Sequence, residues 1–175
     1  MLLKPLLFAI AAVLLLIAFR RHVRRVGQPE FFIILTFELL LILLFLNIDY
    51  WFDHPTRPGQ IISWFLLVAS IVLALGGWYG IKKIGQPMAR LKRGPHLVTQ
   101  GVFRYVRHPL YSSLMFLGTG IYLKHASLPA LAILLLICAF AIAAALLEEK
   151  KCLQTFGDVY TSYMKATRRF IPFII

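Results

Sequence analysis

Two short groups of residues in this 175-residue chain have the types and spacing to do chemistry. The first is Arg107-His108-Pro109-Leu110-Tyr111, which reads as a loop turning into a helix. Proline is tolerated in a first helical turn, so His108 takes the cap position, and Arg107, His108 and Tyr111 gather at the helix mouth. Free backbone donors and the positive end of the dipole favour an anionic group there, such as the carboxylate of a bound small molecule. The second group is Glu148-Glu149, adjacent acids at the end of a long apolar run. A helix C-terminus favours cations, so paired carboxylates in that place point to a partner that is cationic or rich in hydroxyls. Plainer readings stand beside both. Arg107 could meet lipid phosphate while His108 only caps, and the two glutamates could be a solvated pair balanced by Lys150 and Lys151.

The elements that must position these groups are set by composition. Of the chain, 60% is hydrophobic, with a net charge of +12, whereas soluble domains are nearer half apolar. The basic residues lie between apolar runs instead of along one polar face, which argues for a membrane and against nucleic acid. The expected fold is all-α, a polytopic integral membrane bundle of five transmembrane helices. A helix of ~20 residues crosses a hydrocarbon core of ~30 Å, and apolar stretches run over 2–19, 31–48, 60–79, 109–123 and 127–147. The first has the length of a signal peptide. Its basic cluster Arg20, Arg21, Arg24 and Arg25 follows the apolar run instead of preceding it, so a retained helix is expected. With the N-terminus outside, segments 20–30, 80–107 and 148–175 hold sixteen of the nineteen Lys and Arg, leaving Lys4, Arg57 and Lys124 on the other side. That asymmetry predicts an outside N-terminus and a cytoplasmic C-terminus.

Other marked residues have structural readings. Glu38 falls roughly 11 Å down the second span, where a protonated or interhelically paired carboxyl is expected, although intramembrane acids are often functional. Trp51, Trp64 and Trp78 lie near span ends, as interfacial aromatics do. Gly76, Gly77 and Gly80 permit close helix packing. Cys138 and Cys152 offer neither a disulfide framework nor metal spacing, so no metal is expected. In the tail 148–175, Phe156, Tyr160, Tyr163 and Thr167 recur at helical spacing, predicting an amphipathic helix against the bundle or the headgroups.

The segment Leu97–Gly101, the Arg107–Tyr111 core and the tail residues Glu148, Glu149, Leu153, Phe156, Gly157, Tyr160 and Tyr163, followed by Ile171-Pro172-Phe173, resemble the isoprenylcysteine carboxyl methyltransferase family, to which phospholipid methyltransferases are related. The resemblance covers 94–173. It implies a single membrane domain, with three N-terminal helices in 1–79 and a catalytic half in 80–175. It implies S-adenosyl-L-methionine as cofactor, S-adenosyl-L-homocysteine as product, and a lipophilic acceptor entering from the bilayer. The matching positions His96, Leu97, Val98, Gly101, Tyr105, Arg107, His108, Pro109, Tyr111, Glu148 and Glu149 would form the cofactor site at the cytoplasmic face. The expected acceptor is the carboxylate of a prenylated-cysteine-type lipophilic molecule, in preference to a phospholipid amine, with Arg168 or Arg169 holding the carboxylate; for a phospholipid amine, Glu149 or a tyrosine would receive a proton. Ala166 stands where isoprenylcysteine enzymes usually carry a basic residue, which keeps phospholipid N-methylation open. A non-catalytic membrane scaffold or small transporter is the reading from another class.

Overall fold

The computed structural model describes residues 8–10, 12–13, 17, 27–53, 55–83 and 97–172. Among these the order is α1 (Pro29–Asn47), a 3-10 turn (Ile48–Tyr50), α2 (Pro58–Lys83), a second 3-10 turn (Gly101–Arg104), α3 (Pro109–Tyr122), α4 (Leu128–Phe156) and α5 (Asp158–Ala166). No strand occurs among them; a single parallel bridge joins Val106 and Arg168. Residues 8–10, 12–13 and 17 are also helical, and the Phe8 ring meets Phe45 of α1 edge-on at 5.3 Å. The rest of the first expected span, the Arg20–Arg25 cluster, Lys4 and His96 lie outside the described residues.

Prolines start most of these helices. Pro29, Pro109 and Pro129 sit in first turns, where their missing N–H costs nothing, and the Ser127 hydroxyl caps α4 by accepting from the Ala130 amide. Helix α4 runs 29 residues to Phe156 instead of ending at Leu147. Nothing between Glu148 and Thr155 breaks a helix, and Gly157, at φ +53° and ψ −126°, finally does, in a conformation open to glycine. The tail is therefore not one interfacial helix. It is the last turns of α4, a glycine turn and the short α5, whose Tyr160 and Tyr163, with Thr167 just past its end, are buried against the bundle.

Among the described residues three helical stretches are long and apolar enough to cross a membrane: α1 with its 3-10 turn, α2 and α4. The 14 residues of α3 reach only about 21 Å, short of the ~30 Å core. It lies instead along α2, with α1 and α4 packed along each other beside it. Leu40, Leu43, Leu67, Ile121 and Ile137 form the core common to these four helices. The outward side of α2 leaves Ile61, Phe65, Val68, Val72 and Leu75 exposed, a surface that suits hydrocarbon and would be a liability in water. Trp51 and Trp64 pair edge-on at one end, and Trp78 lies at the other beneath the Lys82 ammonium.

Small residues set the closest approaches. At one end of the α2–α3 pair, Ser63 donates to the Gly120 carbonyl at 2.7 Å. At the other, Gly77 faces Pro109 and Leu110, and Gly80 faces Phe103, so the glycines of α2 seat the start of α3. A Cβ on Gly120 would stand 2.9 Å from Leu67 Cδ2 and 3.2 Å from the Ser63 carbonyl, whereas on Gly118 its nearest neighbours, all side-chain atoms, begin at 3.3 Å. Gly120→Ala should therefore lower stability by about 1–3 kcal/mol through overpacking. Gly118→Ala should be close to neutral, helped by alanine's better helix propensity. Thermal unfolding of the two variants in detergent checks the order.

Candidate active site

The site is built where the tail returns to the start of α3. Backbone hydrogen bonds tie the two segments: Arg168 N–H to Tyr105 O at 3.1 Å, Arg107 N–H to Arg168 O at 2.8 Å, and His108 N–H to Arg169 O at 3.1 Å. The Ser112 hydroxyl, one turn into α3, is fully buried and lies 2.7 Å from the Phe170 carbonyl and 3.0 Å from that of His108. Tyr163 donates to the Phe103 carbonyl at 2.6 Å, adding a second tie between tail and loop. Backbone donors at 107 and 108, expected to be free for an anion, are thus occupied by the chain's own tail.

Glu149 sits at the centre of this junction. Its Oε1 accepts from Arg107 Nε at 3.0 Å and Arg169 Nε at 3.1 Å, and lies 3.3 Å from His108 Nε2. Its Oε2 accepts from Arg169 Nη2 at 2.8 Å, so Arg169 grips the carboxylate with both arms. Glu149 is 5% exposed and Arg107 8%; Arg107 turns its Nη1 to the Met164 and Thr167 carbonyls. The hydrogen bond to Glu149 holds the Arg169 guanidinium further above its ordinary range, against the opposing effect of burial. Burial pushes the Tyr163 phenol up to about 12 and that of Tyr160 higher still. Both tyrosines stay neutral near pH 7, poor candidates for a base.

His108 occupies the cap position of α3 without capping it: its side chain makes no hydrogen bond to the helix amides. The ring stands between the two acids, Nε2 toward Glu149 and Nδ1 3.7 Å from Glu148 Oε2. Unlike Glu149, Glu148 is 46% exposed. It lines, with His108 and Tyr111, one end of a cavity of about 590 Å³. The remaining wall is almost wholly apolar, with Ile33 and Phe37 from α1, Ile71 and Ala74 from α2, and Leu114 and Leu117 from α3.

The structure thus gathers Arg107, His108, Pro109, Tyr111, Glu148, Glu149 and Arg169 around one junction. Other expected site residues stand apart from it. Leu97 and Val98 are half-buried, Val98 near Gly80 of α2. Gly101 makes an exposed turn at φ +64°, and the Tyr105 side chain is exposed beside Arg104 while its carbonyl takes part in the tie to Arg168. Arg168 is exposed and takes part through its backbone. Ser112 and Phe170, not singled out by sequence, complete the junction with Thr167, which sequence placed only on an amphipathic helix. A serine on the inward face of α3 one turn after His108 was the available signal for the first of them. Among the described residues, no group of three His, Cys, Asp or Glu is placed to hold a metal ion.

Removing the Glu149 charge leaves two guanidiniums facing each other in a buried space, which is costlier than never having had the cluster. Glu149→Gln should destabilise the protein by about 3–5 kcal/mol, seen as a large drop in detergent melting temperature. Glu148→Gln, whose carboxyl is half-exposed, should melt within about 0.5 kcal/mol of the parent.

Comparison with known proteins accords with this geometry. No curated protein matches the chain. A protein-family model described as phospholipid methyltransferase matches residues 59–159, more than half of the chain. The match runs from the start of α2 into α5, taking in Arg107–Tyr111 and Glu148-Glu149 and stopping short of Arg168 and Arg169. Isoprenylcysteine carboxyl methyltransferases fall within the same family. With its long apolar helices and this match over the segment that builds the junction, the chain belongs to the phospholipid methyltransferase family.

Proposed function

We propose that the protein is an integral membrane enzyme that moves a methyl group from S-adenosyl-L-methionine to a lipophilic acceptor. The observation that carries this reading is the apolar cavity of about 590 Å³ that ends on His108, Tyr111 and Glu148, beside the buried Glu149 cluster. Its walls suit a hydrocarbon chain, and its polar end is where a headgroup would meet the cofactor. Five spans, with the short α3 crossing alongside α2, an outside N-terminus and a cytoplasmic site complete the proposal. In support, Lys82, Lys83, Lys150, Lys151, Arg168 and Arg169 all belong to the helix ends and tail on the Glu149 side of the bundle.

The residues present fit the cofactor. Glu149 is committed to two guanidiniums, which leaves Glu148 as the carboxylate with an accessible edge, next to an imidazole. Glu148 and His108 would hold the cationic or hydroxylated parts, with His96, Leu97, Val98, Gly101, Tyr105, Arg107, Pro109 and Tyr111 added by the family resemblance. When bound, the cofactor supplies a methyl on a sulfonium, already a good leaving group. The protein's share is to align the acceptor and exclude water, and alignment of this kind is worth roughly 7–11 kcal/mol of barrier. Arg107 and Arg169 act in this scheme by fixing Glu149, and through it the His108 ring.

Two acceptor chemistries fit the cavity unequally. A prenylated-cysteine-type carboxylate would need a cation; Arg169 is spent on Glu149, leaving Arg168 for that role. A phospholipid amine is favoured by a specific observation: among the described residues that line the cavity the carboxylate is Glu148, which attracts an amine and repels a carboxylate. His108, between two acids, is then the group nearest to hand for a proton released on N-methylation.

Titration with S-adenosylhomocysteine tests the enzyme reading: the parent should bind and Glu148→Gln should bind at least tenfold more weakly while remaining folded. A parent that does not bind would leave a scaffold or transporter. In the same detergent, methyl transfer to phosphatidylethanolamine should exceed transfer to farnesylated N-acetylcysteine; the reverse order would return the assignment to the carboxylate and Arg168.

A further inference from the structure

A second polar site lies at the opposite end of the bundle, where α2 begins and α3 ends. Lys124, just past α3, is 6% exposed. Its Nζ donates to Gln60 Oε1 at 2.9 Å and stands 3.7 Å from the Trp64 ring centre and 5.2 Å from that of Trp51. The Gln60 amide in turn donates to the Tyr50 and Asp53 carbonyls, which fixes its oxygen toward the lysine. Two carbonyls thus hold Gln60, and Trp51 and Trp64 meet edge-on at 6.2 Å.

No carboxylate is paired with Lys124 among the described residues, and the aromatic faces attract the cation without neutralising it. An ammonium has three donors, of which Gln60 takes one. Burial pushes the Lys124 ammonium below its usual range, the expected response of a charge held away from water without a partner. Beside it opens a cavity of about 430 Å³ that Arg57, Asp53, Gln60 and His125 also line. Among the described lining residues, Lys124 and Arg57 against Asp53 leave one net positive charge, the complement of a phosphodiester. The Trp51 and Trp64 rings put the cavity at headgroup depth.

We propose that this cavity binds the phosphodiester of a membrane glycerophospholipid in the leaflet opposite the active site, with Lys124 and Arg57 as its cationic contacts. The bound lipid would tie the α2–α3 end of the bundle to the bilayer surface, a role separate from methyl transfer and independent of which acceptor is used. The same oxygens are offered by free phosphate, which reaches the cavity without an acyl chain; the Trp51 and Trp64 rings against Lys124 favour the lipid.

Native mass spectrometry of the detergent-purified protein, titrated with dioctanoyl phosphatidylglycerol, dioctanoylglycerol or inorganic phosphate, tests this. The expected result is one phosphatidylglycerol per protein, at least tenfold weaker binding in Lys124→Met and in Arg57→Gln, and little binding of either other probe. Arg57 is exposed, so Arg57→Gln remains decisive even if Lys124→Met fails to fold. Equal lipid binding in Arg57→Gln and the parent, or equal binding of dioctanoylglycerol, would overturn the proposal. Saturation by inorganic phosphate without lipid binding would overturn it as well.

Discussion

A carboxylate taken out of water and given to two guanidiniums decides the geometry of this protein's polar end. Glu149 lies on the buried face of α4, Arg107 precedes α3 and Arg169 comes from the tail, so three separated segments converge on one ion. Desolvating such a cluster costs several kcal/mol per ion before attraction is counted. Its return is specificity of placement, because guanidinium and carboxylate hydrogen bonds are directional and leave little freedom in register. Arg107 is further fixed by the Met164 and Thr167 carbonyls, and the tail by its ladder to residues 105–108. Glu148, the adjacent residue, inherits a fixed position without being consumed. One acid builds the site and its neighbour faces outward from it.

The membrane-facing half of the molecule follows from helix direction and small residues. Helix α1 starts, α2 ends, α3 starts and α4 ends at the Glu149 side, so their polar ends meet there and their apolar lengths run away from it. Glycines on α2 let Pro109, Leu110 and Phe103 approach, which seats the start of α3 below the junction. The apolar cavity is the space left between α1, α2 and α3. Two of its walls differ in origin: α2 and α3 fall within the family match, while Ile33 and Phe37 of α1 lie before it. The polar end of the cavity, at His108, Tyr111 and Glu148, thus lies within the matched residues, and part of its apolar wall lies before them.

Much of this was legible in the sequence because it is local. Pro109 after Arg107-His108 marks a helix start, two acids after a long apolar run mark a helix end, and Gly76-Gly77 and Gly80 mark close packing; each follows from residue type and spacing. The role of Arg169 was not legible. Sequence assigned it to an acceptor, but the Gly157 turn folds residues 168–170 back onto 105–108, and only that tertiary step brings Arg169 to Glu149. The same turn explains why the tail is not one helix. His108 was read as a cap from its position, and the pull of two carboxylates on its ring outweighs that local preference. The Lys124 cage was invisible for a similar reason: Gln60, Trp51 and Trp64 are remote from it in sequence and carry no motif.

Amide hydrogen exchange of the protein in detergent, compared between the parent and Glu149→Gln, tests most directly whether Glu149 holds the tail to the start of α3. The account predicts that the amides of Arg107, His108 and Arg168 lose protection in the variant along with α5, while those in the middle of α1 and α4 keep theirs. Unchanged protection at 107, 108 and 168 would contradict it, and would mean that the backbone ladder and the tail tyrosines hold the junction without the buried ion.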